Sequence, residues 1–374
     1  MIKKSKIICT IIFMLFLQGF CAEVHSQDSM TKYNEFVKLN PNDPKAYYDR
    51  GFASAQIKDY KNALKDYNKS VELNPNNANT YLNRGIIKSE LNDYAGAIED
   101  YNKAIEFKPD DFLAYSYRGI AKAKLNDYEN AINDFNKAVE LNSKFTMAYV
   151  GRGLAKVEIE DNSGALKDFN KALKLNQNIN FLYFQRGITR VALKNYKSSI
   201  NDFNKAVELD SKFAMAYVGR GLAKLKLNDY AGAIKDFDKA IELNSENIDI
   251  YSSRGIAKAA LRDAKGAIKD FDKVIELNPN KADAYYFRGL EKAKIEDYKN
   301  ATNDFTKAIE LNPNYSDAYA ARGFAKADLK DYAGAINDLK HSKNLFLQNG
   351  DKKGYIRVIK AIKKFQALNK EIGS

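Results

Sequence analysis

An Arg-Gly pair returns along this chain at a fixed interval of 34 residues, at Gly51, Gly85, Gly119, Gly153, Gly187, Gly221, Gly255, Gly289 and Gly323, with no insertion across nine units. Regularity of this kind overrides the expectation of two or three globular domains that a length of 374 residues would otherwise carry. Self-similarity at a fixed period of this size means one small supersecondary unit stacked on copies of itself.

The residues around each Gly define the unit. A Tyr stands four positions before it, from Tyr47 to Tyr319, and an Ala twelve positions after it, from Ala63 to Ala335, with Ser199 the one substitution. Four further on comes an aromatic ring, Tyr67, Tyr101 and then Phe135 to Phe305, until Leu339 ends the series. Spacings of three and four put these residues on one face of a helix, as in Tyr128, Ala131, Ile132, Phe135, Ala138 and Val139. Two helices per unit follow, broken by pairs such as Asn126-Asp127, whose Asp can accept hydrogen bonds from the first free N–H groups of the next helix. Leu-Asn-Pro-Asn, as at Leu73 to Asn76, closes second helices because proline cannot continue them. Small Gly and Ala let the two backbones approach, and rings fill the remaining space. One hairpin cannot bury both of its faces, so the units must stack.

The period, the Gly, Ala, aromatic and Pro positions resemble the tetratricopeptide repeat (TPR) family over about Asn40 to Leu345. The chain departs from the family pattern with Tyr for the frequent Trp, Arg for the usual Leu before Gly, and Lys122, Lys156 and Lys292 where a second Tyr is common. The resemblance implies an all-α fold, a right-handed superhelical solenoid of nine 34-residue helix-turn-helix repeats with terminal capping helices. It also implies that the first helices line a concave groove for a peptide or protein. The expected organisation is a signal peptide at 1–26, an N-terminal cap at 27–39, repeats at 40–345 and a C-terminal cap at 346–374.

The export signal rests on Lys3, Lys4 and Lys6 followed by the apolar run Ile7 to Leu17, about half of the ~20 residues a membrane-spanning helix needs. Val24 and Ser26 suit cleavage after Ser26, which sends the mature protein to the periplasm or outside the cell. Cys21 is the alternative, as a lipidated cysteine, although Gln18 and Phe20 stand where such a signal prefers Leu and a small residue. Membrane association is expected only with that lipid or with an uncleaved signal. Cleavage removes both cysteines, three Lys and one Glu, so the formal charge of +12 falls to +10 and stability must come from packing alone.

Charge recurs inside the repeat. Arg precedes every Gly, and Asp precedes the second-helix aromatic from Asp66 to Asp338. These neighbours of touching residues are expected to pair, Arg118 with Asp134 for instance, and so to fix register. One turn after the Arg stands a second cation, including Lys122, Lys156 and Lys224, which either follows an acidic partner or shares the Asp.

Positions that change from repeat to repeat are where ligand choice can lie. Leu113, Met147, Phe181 and Met215 occupy one slot on successive first helices, Val150, Phe184 and Val218 another, and Val191 and Leu225 follow on the same face. Asp249, Asp283 and Asp317 take over the first slot toward the C-terminus. An apolar groove with a carboxylate row is expected if these face outward; the alternative is packing between neighbouring helices. Ile132 to Lys156 and Ile200 to Lys224 differ at only two positions, so some of this pattern is duplicated.

Chemistry finds little purchase here. After cleavage the chain keeps one histidine, His341, and no cysteine, which rules out a His/Cys metal cluster or a thiol nucleophile. Gly151-Arg152-Gly153 lacks the strand context of a phosphate loop. The expectation is a non-catalytic scaffold without cofactor or metal that binds a protein or peptide and no nucleic acid. Two other readings are a basic module adhering to an anionic polymer, whose binding would collapse with salt, and a spacer in an envelope assembly.

Overall fold

The computed structural model describes residues 27–244 and 246–372. The export signal, its cleavage point and Cys21 lie outside the described residues. Among the latter the secondary structure is helical throughout, and the chain divides into two compact units at Asn195.

In the first unit α1 (Gln27–Leu39) leads into alternating first and second helices. The first helices are α2 (Pro44–Gln56), α4 (Ala78–Glu90), α6 (Phe112–Lys124), α8 (Thr146–Glu158) and α10 (Asn180–Ala192). The second helices are α3 (Tyr60–Leu73), α5 (Tyr94–Phe107), α7 (Tyr128–Leu141) and α9 (Asn162–Leu175). In the second unit the first helices are α12 (Ala214–Lys226), α14 (Ile248–Ala260), α16 (Ala282–Lys294) and α18 (Ser316–Asp328). Its second helices are α11 (Tyr196–Leu209), α13 (Tyr230–Leu243), α15 (Ala264–Leu277), α17 (Tyr298–Leu311) and α19 (Tyr332–Gln348), and α20 (Lys352–Ile372) closes it.

Each helix packs on the next in sequence within its unit. The close approaches between helices two apart join first helices: α2 with α4, α4 with α6 and α6 with α8, and likewise α12 with α14 and α16 with α18. The first-helix side is therefore the inner side of each unit's bend.

The core is a column of alanines and rings. Ala131 and Ala138 are fully buried beside Phe135, and Ala165 and Ala172 beside Phe169. Ser199, the one departure from the alanine twelve residues after Gly, is equally buried and settles its hydroxyl on the Tyr196 carbonyl at 2.7 Å. At the C-terminal end Val358, Ile362 and Phe365 of α20 cover Leu339 and Phe346 of α19. That amphipathic face gives the last repeat the neighbour it would otherwise lack.

The recurring Gly is a matter of distance. A Cβ built on Gly153 would lie 2.6 Å from the Phe169 ring, and one on Gly151 would lie 2.5 Å from the ring of Phe135 in the preceding hairpin. The Gly-Arg-Gly run of α8 thus admits one ring from each side. In an exposed helix Gly→Ala gains roughly 1 kcal/mol. Here the clash wins, because Phe169 is fully buried and has nowhere to move. Gly153→Ala is expected to lose about 1–3 kcal/mol. Gly51→Ala, whose Cβ would sit 3.1 Å from Tyr67, is expected to lose less. Chemical denaturation of the two variants checks both size and order.

Each turn from first to second helix contains one residue with positive φ, between 59° and 65°: Lys58, Asn92, Asn126, Glu160, Lys194, Asn228, Arg262, Glu296 and Lys330. That geometry lets two N–H groups fold back on the end of the first helix, as Asn126 N–H does to the Ala123 carbonyl at 3.1 Å and Asp127 N–H to that of Lys122 at 2.9 Å. The following Asp then caps the second helix, with Asp161 accepting from Gly164 N–H at 2.8 Å. Asp127 departs from this and takes the Asn130 side chain instead.

Candidate partner-binding face

The framework behind the face is a charge network, best seen at Arg118. Its guanidinium donates from Nε and Nη2 to Asp134 at 3.0 and 2.6 Å. Nη1 donates to Asn102 Oδ1 of the preceding second helix at 2.7 Å, and the plane lies over the Tyr115 ring, 5.4 Å from its centroid. One Arg on α6 thereby ties α5 to α7 through the fork geometry that Lys lacks. The Arg–Asp pair recurs at Arg50–Asp66, Arg84–Asp100, Arg152–Asp168, Arg220–Asp236, Arg254–Asp270, Arg288–Asp304 and Arg322–Asp338. The periodicity of Arg and Asp foreshadowed these pairs. The stitch to the previous hairpin was legible too, because Asn or Asp stands 16 residues before most of the arginines, but sequence reasoning passed over it.

In α14 and α16 the stitch goes to Asp238 and Asp272 in place of Asn, at 2.6 and 2.7 Å. Burial works against the Arg254 and Arg288 charges, but each guanidinium, held between two carboxylates, stays above its ordinary pKa. The net stabilisation from such buried pairs is small against an apolar substitute; what they enforce is register.

The second cation joins the same network. Lys122, Lys156 and Lys224 place their ammonium groups 2.7, 2.8 and 2.8 Å from Asp134, Asp168 and Asp236. Each Lys side chain is 20% exposed. Their charge balances a buried carboxylate rather than standing out as a free row, because an Asp so deeply buried needs more compensation than one Arg supplies.

The apolar residues divide. Val150, Phe181, Phe184 and Val218 are buried, Val218 against Phe237 and Ile250. Leu113, Met147 and Val191 in the first unit and Met215 and Leu225 in the second are half-buried, and they carry the apolar surface a partner could touch. Asp249 and Asp283 are exposed and Asp317 half-buried.

Two features of this face were not anticipated from the sequence. Leu222 and Ile256, one residue after their Gly, are 40% and 42% exposed, whereas Ile86, Ile120 and Leu154 in the same slot are buried. A recess of about 190 Å³ also opens between α16, α18 and α20, walled by Tyr286, Leu290, Ala321 and Phe324, with Asp317, Asp328 and Arg357 on its polar side. It exists because Ala320 and Ala321 stand where the preceding repeat has Tyr286 and Phe287. Burial, reinforced by the Asp317 charge, pushes the Tyr286 hydroxyl up to about 12, so it stays a neutral donor at physiological pH. Among the described residues no group of three or more His, Cys, Asp and Glu is placed to hold a metal ion, and no helix is long and apolar enough to cross a membrane. His341 stacks on Tyr319 with ring centroids 4.5 Å apart.

Helical hairpins of one size, packed in sequence around an Ala and aromatic column with first helices innermost, define a helical-repeat protein. Comparison with known proteins gives the particular kind. Tetratricopeptide repeat profiles match residues 44–77, 112–145 and 214–247, others of that description match 66–99, 182–213 and 282–315, and a TPR repeat profile matches 87–126. The chain belongs to the tetratricopeptide repeat family.

No curated protein matches it. Among solved structures, the C-terminal part of a TPR repeat-containing protein from Cytophaga hutchinsonii is similar at 20% identity and a TM-score of 0.56, over 64% of this chain and 98% of that one. YrrB, a TPR protein with an unusual peptide-binding site, shares 26% identity over 50% of this chain and 96% of its own, with a TM-score of 0.47. A tetratricopeptide repeat protein from Parabacteroides merdae shares 20% over 66% and 98%, with a TM-score of 0.48. The Cytophaga likeness shows the shared fold.

Proposed function

We propose that this protein is a non-catalytic scaffold which, after export from the cytoplasm, holds a peptide or protein against its first-helix face. The observation that carries this reading is where variation lies. Residues that build the hairpin repeat faithfully and are buried, whereas the slot six residues before Gly runs Lys45, Asn79, Leu113, Met147, Phe181, Met215, Asp249, Asp283 and Asp317, and of these only Phe181 is buried. Framework positions are constrained by packing; this slot on the inner side of each unit's bend, Phe181 aside, is not, and its chemistry is free to follow a partner. Half-exposed Leu and Met suit an adaptable apolar contact. Because Lys122, Lys156 and Lys224 are engaged with buried carboxylates, an anionic polymer would find little free charge along that row. Export rests on Lys3, Lys4, Lys6 and the run from Ile7 to Leu17.

The double variant Leu113→Asp, Met147→Asp tests the site. Both side chains are half-buried, so the fold is expected to survive, as read by circular dichroism, while capture of the natural partner falls at least tenfold. Retention of full capture by a folded double variant removes this face of the first unit from the reading. A periplasmic or culture-supernatant location of the tagged full chain, read by fractionation, tests export; recovery in the cytoplasm alone would overturn it.

A further inference from the structure

In the second unit the first-helix face carries two parallel tracks of opposite character. One is apolar: Leu222 and Ile256, each about two-fifths exposed, continue at the same slot into Leu290 and Phe324, which wall the recess of about 190 Å³. The other is acidic: Asp249, Asp283 and Asp317 sit seven residues earlier on their helices than Ile256, Leu290 and Phe324, a displacement of about 10 Å along the helix axis. Asp328 adds an exposed carboxylate on the far side of the recess.

The cations beside these carboxylates do not cancel them. Lys281 lies 3.3 Å from Asp249, and Arg357 lies 3.3 Å from Asp317. Both are loose surface pairs of the kind that contribute little and exchange readily. Lys294 is already tied to the buried Glu291 at 2.6 Å. Asp283 has a tyrosine hydroxyl, that of Tyr315, as its neighbour rather than a cation. Four carboxylates thus face two loosely held cations, on a chain whose formal charge is +12. Local acidity against a basic background is what selects a cationic ligand, since the rest of the surface repels it.

We infer that this face binds an extended, basic peptide segment of a partner protein, with a bulky apolar side chain in the recess beside Ala321 and Lys or Arg side chains along the aspartate row. The inference rests on the first-helix face being the docking face, and it specifies the ligand chemistry of one part of it. The recess accommodates one Leu- or Phe-sized group, not a helix. The span of about 10 Å between tracks is within reach of a peptide whose Lys side chains extend away from its apolar anchor.

The test uses the full chain and three fluorescein-labelled, end-capped peptides read by polarisation: Gly-Lys-Phe-Lys-Leu-Lys-Gly, its counterpart with Glu for every Lys, and its counterpart with Ala for Phe and Leu. The basic apolar peptide is expected to bind at least tenfold tighter than either control, with affinity falling as salt rises. Asp249→Asn, Asp283→Asn, Asp317→Asn together should lower its affinity about tenfold and flatten the salt dependence. Ala321→Phe should remove binding by filling the recess; the surface triple variant guards against a folding defect in that one. Equal binding of the acidic peptide, or undiminished binding by the triple variant, overturns the proposal. If no peptide binds while natural-partner capture is still abolished by Leu113→Asp, Met147→Asp, this inference fails and the scaffold reading stands.

Discussion

Asp134→Ala is expected to destabilise the first unit by about 3–5 kcal/mol, the loss found when one member of a buried ion cluster is removed. Asp134 is 4% exposed and meets Arg118 twice and Lys122 once, so its removal leaves two cations of α6 side by side against α7 with no carboxylate between them. Both are less than one-quarter exposed and cannot regain full hydration without opening the hairpin. Asn102 and the Tyr115 ring still hold the guanidinium, but neither is charged. Breaking the exposed pair of Lys137 and Glu140, 2.7 Å apart, by Lys137→Ala should leave stability close to that of wild type. Replacing the whole cluster with apolar residues of similar size, Arg118→Met, Lys122→Met and Asp134→Leu, should recover most of the loss. Because stability in a stacked array is passed between neighbours, the lesion should also lower hydrogen-exchange protection in α5 and α8. Denaturant unfolding within 1 kcal/mol of wild type for Asp134→Ala would show the cluster to be solvated, contrary to this account.

The same cluster illustrates what the residues disclosed in advance. Gly119, Phe135, Arg118 and Asp134 recur with fixed spacing, so their mutual contact follows from helix geometry and the period alone. Hairpin construction, cap positions and the division into first and second helices were legible for that reason. Facing direction was not. Val150, Phe181 and Phe184 lie on the expected helices yet are buried, and burial depends on how tightly adjacent elements approach, which spacing along one helix does not fix. Apolar residues at fixed spacing look the same whether a helix or a guest covers them. The lysines raise a similar ambiguity: a cation one turn from an Arg reads equally as free charge or as the second partner of a buried Asp. The recess beside Ala321 was legible only as a pair of small residues, and its significance appears once Tyr286, Phe324 and α20 are seen around it.

Six glycine substitutions at the turns, Lys58→Gly, Glu160→Gly, Lys194→Gly, Arg262→Gly, Glu296→Gly and Lys330→Gly, should together stabilise the protein by about 3–6 kcal/mol, although they remove only surface side chains. Each of these residues holds φ near +60°, where an L side chain crowds its own carbonyl at a cost of about 1–2 kcal/mol. Gly carries no such strain, but it gives the unfolded chain more freedom, which takes back roughly 0.5–1 kcal/mol. The net gain is therefore about 0.5–1 kcal/mol per turn, the difference between these opposing terms. The backbone bonds that close the turn, such as Glu160 N–H to the Val157 carbonyl at 3.1 Å, do not involve the side chain and persist. Lys58 should gain least, because its charge favours the ionised form of the half-buried Glu90. Asn126→Gly should gain little, since Asn adopts this conformation with less strain than Lys or Glu. Glu129→Gly, in the first turn of α7, should instead lose about 1 kcal/mol, which separates the left-handed geometry from a general benefit of Gly. Thermal and denaturant unfolding of Glu160→Gly, Asn126→Gly, Glu129→Gly and the sextuple variant decides the matter. A Glu160→Gly protein no more stable than wild type would mean that these turns are relaxed with their side chains present.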